Sequence, residues 1–588
     1  MIGQTVTRSE DLQDALEIPV PDDPSLVLDS CRRLLGPNLY GTDPGAVGDA
    51  FVTGTDAARV LALWTRHLCR LLDGIGWTQA KPVGRTFDGG CSLYVPAPVD
   101  QLYTAAYVIE AAWYFCTTEL LFLPSRPMDE MARDLAAVAS REANPTLRSM
   151  VATAAARGID RLLDDEMITL GHGSGARTWE TEALPDQPDW SVLHDIPLAI
   201  VTGTNGKTTT TRLIAAMGRA AGKVSGLSST EFVKVGDDIL DKGDYSGPAG
   251  ARLLLRDPRL EIGVLEVARG GILRRGLPIT RARAAIVTNV ASDHLGQYGI
   301  MTVPELAQVK LAVHRGLAPD GLLILNADDA PVVTAAKGLT TRTAWFSLSP
   351  ATPQIVAARA ANRPCGWLEN GQIILSDGQT TVALIAAANV PLSLGGAARY
   401  NIENALAAAL AARTLGIPDA AIREVLASFR SDAKDNPGRA NEFAVNGARV
   451  FVDFAHNPHS IAAVTSALAA VPAKRRFILL SHAGDRSDDD ITGLVKGAFA
   501  LGPNYVVAAE NPKYLRGRAL GELPALMRAV SLGQGLPADH ILMATSPFDG
   551  ARQIIERLEP GDLALLLVHD DRQKIFDLLA SQSTARAT

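Results

Sequence analysis

Between Ile200 and Thr211 the chain reads IVTGTNGKTTTT, in which two glycines, one lysine and a run of hydroxyls are spaced to hold phosphate. Gly203 and Gly206 permit a turn tight enough for main-chain N–H groups, across Thr204 and Asn205, to converge on phosphate oxygens. Lys207 adds a positive charge where terminal phosphates would lie. Thr208 supplies the hydroxyl that such loops place on magnesium, and Thr209 leads into a helix whose N-terminal dipole favours an anion. The position six before Lys207 is Val201, not the glycine of the general phosphate loop. Glu266, near the close of the apolar run EIGVLEV, would present its carboxylate at a strand end close to that loop. A carboxylate there can hold magnesium bridging nucleotide phosphates, although a solvated strand-end glutamate is the simpler account of the residue alone. These groups imply ATP as ligand.

Such groups work only if strands deliver them to one edge. Short apolar segments at Leu198 to Val201, Ile262 to Val267, Ala284 to Asn289 and Leu322 to Asn326 alternate with amphipathic helices. That alternation predicts a mostly parallel sheet covered by helices, with ligand at the strand C-terminal ends. An alanine-rich helix around Asn404 to Leu415, a Gly416-Ile417-Pro418 stop and a second helix to Phe429 close this region. From Ser431 a smaller Rossmann-like unit is expected, with strands Val450 to Phe454, Phe477 to Ser481, Tyr505 to Ala508 and Leu563 to Val568. Residues 1 to about 190 mix helices such as Ala57 to Leu72 and Asp129 to Arg141 with strand-like pieces such as Ser92 to Val95, and Pro-rich Ala183 to Trp190 reads as the linker out of that region. The expected organisation is α/β throughout: a mixed N-terminal domain (1–190), a central nucleotide-binding domain (191–430) and a Rossmann-like C-terminal domain (431–588).

The form GTNGKT followed by further threonines resembles the Mur ligase superfamily, in which ATP drives the joining of a carboxylate to an amine. Within it, EVARGGILR, containing Glu266 and Arg269, and KGDYSGP, containing Lys242 and Asp244, are similar to segments of cyanophycin synthetases. The resemblance implies substrate contact for the KGDYSGP loop, which a plain ordered loop explains nearly as well. In TNVASDHL it makes His294 a ligand of a second magnesium, and it makes Lys310 the lysine that Mur ligases carbamylate, against the plainer reading of a surface helix lysine. RYNIENALAAA places Asn404 on adenine, although Tyr400 stands where many members have histidine. NPGRAN places Arg439 on the phosphates, and FVDFAHNP places Asp453 on a ribose hydroxyl with His456 behind it. By the same likeness one nucleotide is shared between two closing domains. In AENPKYLRGRALGE, Glu510 and Asn511 would read an incoming amino acid while Arg516 and Arg518 meet carboxylates; a charged surface loop accounts for this segment equally well.

The resemblance is nearly continuous from Pro197 to Asp570 and weaker before it, where RRLLGPNLY and ARGIDRLLDDEMITLGHGSGART carry it. Some cyanophycin synthetases have HxxEH where this chain has Tyr107, Glu110 and Ala111, so no peptidase activity and no metal are expected there. Only about twenty residues separate Thr178 from the phosphate loop, far fewer than the ATP-grasp domain of that family requires. The expectation is therefore one ligation, not complete cyanophycin synthesis.

Composition agrees with a large folded enzyme: 588 residues, 47% of them hydrophobic, with net charge −8. That charge gives no overall basic field for nucleic acid. Met1 to Asp22 lacks the pattern of a signal peptide and no apolar run is long enough for a bilayer, so a cytoplasmic chain without membrane contact is expected. Five widely spaced cysteines without CxxC pairs suggest neither a disulfide framework nor zinc. The sequence thus predicts a ligase using ATP and two magnesium ions, with a carbamylated Lys310, joining an amino acid to a small-molecule or short-peptide carboxylate of aspartyl or glutamyl type. Homo-oligomerisation stays open. A folylpolyglutamate-type or peptidoglycan-precursor ligase, an NTPase coupled to motion, and a catalytically silent ATP-binding partner are the alternatives.

Overall fold

The computed structural model describes residues 8–584; Met1–Thr7, the start of the polar N-terminal stretch, lie outside the described residues, as do the last four. Two compact units result. The first takes residues up to Val290, with His294–Trp345 and Leu410–Pro418, and the second takes Ala291–Asp293, Phe346–Ala409 and residues from Asp419 onward.

The first unit begins with a four-stranded antiparallel sheet made of β1 (Leu26–Leu34), β2 (Gly45–Val52), β3 (Val83–Phe87) and β4 (Gly90–Pro96), in the order β1-β2-β4-β3. The helix Ala57–Gly74 starts where the Asp56 carboxylate accepts from Ala58 N–H, and it buries Val60, Trp64, Leu68 and Leu71 at helical spacing. Those side chains and the helix Leu102–Leu120 share one core, in which Trp64 and Trp113 meet edge to face at 4.9 Å. A small antiparallel sheet follows, of β5 (Arg161–Leu163), β6 (Met167–Leu170) and β7 (Arg177–Glu180).

The site-bearing strands are β8 (Leu198–Thr202), β9 (Ser225–Ser228), β10 (Phe232–Val235), β11 (Asp238–Lys242), β12 (Ile262–Glu266), β13 (Ala282–Val287) and β14 (Leu317–Asn326). They run in the order β11-β10-β9-β12-β8-β13-β14. Strands β9, β12, β8, β13 and β14 are parallel, and β10 pairs antiparallel with both β9 and β11. Every residue of β8 is buried, as a central parallel strand covered on both faces requires. The register sets Glu266 opposite Val201 and Val287 opposite Thr202, so the ends of β12 and β13 flank the turn that leaves β8.

In the second unit, strands Ala448–Asp453, Leu563–Leu567, Arg476–Leu480, Tyr505–Ala509 and Ile541–Ala544 form a parallel sheet in that spatial order, alternating with helices; the sequence predicts the first four, and Ile541–Ala544 is an addition. An antiparallel edge strand, Asn441–Val445, joins through Asn446-Gly447, both at positive φ (53° and 78°), the conformation a two-residue hairpin turn requires. The sequence reading did not anticipate the antiparallel meander Cys365–Glu369, Gln372–Ser376 and Thr381–Ala386. Its first turn is again Asn-Gly, Asn370 and Gly371 at φ 51° and 74°. Among the described residues no helix is long and apolar enough to cross a membrane.

Candidate functional site

The turn after β8 is fixed by its neighbours. Gly203 has φ 146°, and a Cβ there would lie 1.9 Å from Thr288 Oγ1, so only glycine fits. Gly206, at φ 83°, is the N-cap of the helix Lys207–Ala220 and leaves its first N–H groups at the loop. Asn289, at the end of the β13 segment, braces the loop from outside. Asn205 N–H donates to Asn289 Oδ1 (2.9 Å), Asn289 Nδ2 donates to Asn205 O (3.1 Å), and Thr204 N–H donates to Asn289 O (2.8 Å). Thr288 Oγ1 also donates to Asn205 O at 2.6 Å. Within TNVASDHL the sequence assigns no role to Thr288 or Asn289; the signal for them is the asparagine that follows an apolar strand.

Two ammonium groups converge on this turn. Lys207 Nζ donates to Gly203 O (3.1 Å) and Thr204 O (3.0 Å), and Lys310 Nζ donates to Gly203 O at 2.8 Å. Lys310, in the helix Val303–Leu311, is only 4% exposed, so it is a buried lysine of the loop surroundings and not a surface one. Thr208 Oγ1 donates to Glu266 Oε1 at 3.3 Å, and Glu266 is 1% exposed. A hydroxyl and a carboxylate buried together, both hard oxygen donors, fit a magnesium ion.

Further along, His294 is exposed and takes φ 51°, in a loop whose Tyr298 and Gly299 are also left-handed. Arg269 reaches that loop, donating from Nη2 to Gln297 Oε1 at 2.6 Å. In KGDYSGP, Lys242 and Asp244 are both exposed; Asp244 Oδ1 accepts from Ser246 N–H (3.1 Å) and Oγ (2.7 Å), a turn that sets Ser246 O to receive Ala268 N–H.

In the second unit, Asn404 Nδ2 donates to Asn401 Oδ1 (3.1 Å), and Asn401 Nδ2 is itself anchored on Leu392 O (2.9 Å). Asp453 accepts from Ala440 N–H (2.7 Å) and Ala455 N–H (2.6 Å). Burial raises its carboxyl above the ordinary range, against the opposing pull of Arg439 and these N–H groups. Half-buried Tyr400 lies close enough to Asp453 that desolvation and this charge together push its phenol upward. Arg439 lays its guanidinium 5.2 Å over the Phe454 ring. His456 Nδ1 lies 3.2 Å from Phe454 O.

Glu510 and Asn511 are buried at the end of the strand Tyr505–Ala509. Glu510 is consumed by main chain, its Oε1 accepting from Asn511 N–H (3.0 Å) and its Oε2 from Gly521 N–H (2.5 Å). Asn511 is 1% exposed, and among the described residues neither its Oδ1 nor its Nδ2 has a hydrogen-bond partner. Arg518 is taken up locally, by Gly484 O (3.1 Å), Arg486 O (2.7 Å) and Asp488 (2.7 Å), and Arg516 pairs with Asp485. Both arginines thus tie the loop that opens at Gly484 (GDRSDDDI, Gly484 to Ile491) to the segment after ENPK.

Comparison with known proteins finds likeness over the same part of the chain. Residues 201–412 match the Mur ligase middle domain and residues 438–568 match the Mur ligase, glutamate ligase domain. A cyanophycin synthetase of Crocosphaera subtropica is 39% identical over 373 residues, covering 63% of this chain and 42% of the relative, so the chain spans about two fifths of that protein's length. A UDP-N-acetylmuramoyl-L-alanyl-D-glutamate–2,6-diaminopimelate ligase of Listeria monocytogenes is 26% identical over 400 residues, covering 65% of this chain and 75% of the relative. Among solved structures, E. coli FolC in complex with DHPP and ADP superposes with a TM-score of 0.50 at 19% identity, covering 66% of this chain and 89% of that one; this is a likeness of fold.

Proposed function

Because this chain belongs to the Mur ligase family, carrying its middle and C-terminal domains, we propose that it is an ATP-dependent ligase joining the amine of an amino acid to a carboxylate through an acyl phosphate. The observation that carries the reading is the pairing of buried Thr208 and Glu266 at 3.3 Å beside a loop on which Lys207 and Lys310 converge. A carboxylate oxygen of the acceptor attacks the γ-phosphorus of ATP, the bond to the β,γ-bridging oxygen breaks, and ADP leaves. The amine nitrogen then attacks the acyl carbon, loses a proton, and phosphate departs. Lys207 and the loop N–H groups hold and neutralise the phosphoryl oxygens, and no side-chain nucleophile is needed. Magnesium on Thr208 and Glu266, with His294 as ligand of a second ion, would supply the remaining charge neutralisation.

In the second unit, Asn404 is assigned to adenine, Asp453 with His456 behind it to the ribose, and Arg439 to phosphate. The unsatisfied amide of buried Asn511 supports a polar ligand at the ENPK segment, since leaving such a group without a partner costs about 1–3 kcal/mol. An amino acid, with one ammonium and one carboxylate, offers both an acceptor for Nδ2 and a donor for Oδ1. Lys310 is the site assigned to carbamylation, and Lys242, Asp244 and Arg269 are assigned to the acceptor. The acceptor is proposed to be of aspartyl or glutamyl type, free or in a short peptide, with one ligation per chain.

The test is phosphate release from ATP with each amino acid against aspartyl and glutamyl acceptors, with mass spectrometry of the product. Amine-dependent phosphate release and a product heavier than the acceptor by one amino acid less water are expected. ADP release indifferent to any amine would mark an NTPase instead, and ATP binding without turnover would mark a silent partner. Added bicarbonate is expected to raise the rate, and Lys310→Ala to remove both rate and response; a fully active Lys310→Ala enzyme would exclude the carbamate.

A further inference from the structure

The motif RRLLGPNLY and the sheet β1–β4 play no part in the chemistry above, yet they touch the elements that carry it. Strand β1 ends in a main-chain junction with the segment after Glu266: Leu35 N–H donates to Arg275 O (2.8 Å) and Leu277 N–H to Pro37 O (2.6 Å). Arg32, on β1, is aimed by buried Asp49, whose Oδ2 accepts from Arg32 Nη2 at 2.6 Å while its Oδ1 accepts from Ser92 Oγ at 2.7 Å. So oriented, Arg32 donates from Nε to Leu273 O (3.2 Å), in the helix Arg269–Arg275, and lies 4.8 Å over the ring of Tyr298.

Arg85, on the edge strand β3, holds the same loop from the other side. Its Nη1 donates to Gly299 O (2.8 Å) and to Glu305 Oε1 (3.0 Å). The other oxygen of Glu305 accepts from Met301 N–H (2.9 Å) and Thr302 N–H (2.9 Å), closing a capping box at the start of the helix that bears Lys310. One guanidinium therefore joins the loop backbone to the cap of the next helix. The Phe87 ring closes on Gly299, where an added Cβ would lie 2.4 Å from it. Two non-glycine positions of this loop, His294 and Tyr298, have positive φ (51° and 55°). Conformations of that kind persist only where the surroundings impose them, and β1 and β3 supply these surroundings.

We propose that the N-terminal sheet is a positioning platform for the ligation site, with Arg85 and Arg32 as positioning residues that hold the His294–Thr302 loop and the helix after Glu266. The proposal rests on the ligase reading. Neither arginine is a catalytic residue: they act through His294, Lys310 and the segment after Glu266. A lysine at position 85 keeps the charge and the aliphatic stem but not the planar fork that serves a carbonyl and a carboxylate together.

The test compares the full chain with Arg85→Met and Arg85→Lys by amide hydrogen exchange and by steady-state ligation. In both variants exchange across 294–302 is expected to rise about tenfold, with the loop 203–209 unchanged. The kcat is expected to fall about tenfold or more with the KM for ATP within about twofold, the pattern of lost transition-state positioning. Arg85→Lys, on a half-buried edge strand, keeps the measurement valid if Arg85→Met folds poorly. Unchanged exchange in the loop overturns the proposal, as does raised exchange with unchanged kcat. A wild-type chain without amine-dependent turnover overturns the ligase reading instead, while exchange still decides whether β3 holds the loop.

Discussion

Gly203 is where the chemistry of the loop and its backbone geometry constrain one another most tightly. With φ at 146° and Thr288 Oγ1 1.9 Å from any Cβ, Gly203→Ala strains the backbone and displaces the hydroxyl that holds Asn205 O. We expect a loss of about 2 kcal/mol in denaturant unfolding together with loss of ATP binding by titration calorimetry. Lys207→Ala should behave differently, because among the described residues its Nζ bonds loop carbonyls: stability is retained within about 0.5 kcal/mol while ATP turnover falls by about a hundredfold or more. A third residue sets a pH limit. His569 packs on Phe454 (5.1 Å) and His482 (5.3 Å) with Nε2 3.1 Å from Ala455 O, and burial pushes its imidazole down to about 3. The folded state keeps this ring neutral where the unfolded chain binds a proton, so its stabilisation is complete above about pH 6.5 and is lost as pH falls toward 3. The ring keeps some exposure, which limits the loss to about 2 kcal/mol. His569→Phe should flatten the acid limb of stability measured by urea unfolding between these values, and an unchanged limb would refute the assignment.

At the scale of elements, order in the sheet matters more than any one strand. Glu266 and Thr288 come from segments far from Gly203 in sequence, and they meet it because β12 and β13 are the two neighbours of β8. The helix Val303–Leu311 brings Lys310 to the same carbonyl, and its start depends on the Thr302–Glu305 capping box. Thr302→Ala is expected to cost about 1 kcal/mol and to raise hydrogen exchange in the first turn of that helix; no change in either would show that Arg85 on Glu305 suffices as a cap. What could be read in advance follows from locality. The strand, turn and helix around Gly203 are contiguous and carry their own period and glycines, so they were legible, as were the alternating strands of the second unit. Lys310 was legible only through resemblance, because nothing in a helix of nine residues announces that its lysine is buried. The brace by Asn289 and the grip of Arg85 on Gly299 join positions 84 and 214 residues apart, and no periodicity reports such pairs. The meander from Cys365 to Ala386 was different: its Asn370-Gly371 turn was in plain view and went unread.

At the scale of the whole molecule, each of the two compact units has a hydrophobic core of its own. Calorimetry is accordingly expected to show more than one transition. Magnesium ATP at about a hundredfold over its Kd should stabilise the unit carrying the phosphate loop by about 2.7 kcal/mol; identical traces with and without nucleotide would contradict the assignment of that loop. The junction between RRLLGPNLY and the segment after Glu266 works on another principle. Leu35 N–H, Pro37 O, Asn38 O and Leu39 O meet Arg275 O, Leu277 N–H and the Arg315 guanidinium, so most of the seam is written in main-chain atoms, which every amino acid except proline at a donor position possesses. Four residues are exceptions, two of them through the guanidiniums of Arg32 and Arg315, which donate to Leu273 O and to Asn38 O and Leu39 O. Gly36 has no room for a Cβ, which would lie 2.4 Å from Leu277 O, and Asn38 ties the turn by donating to Gly36 O and Asp43 O and accepting from Tyr40 N–H. A seam of this kind can drift in sequence over evolutionary time and still close, provided those four letters stay fixed.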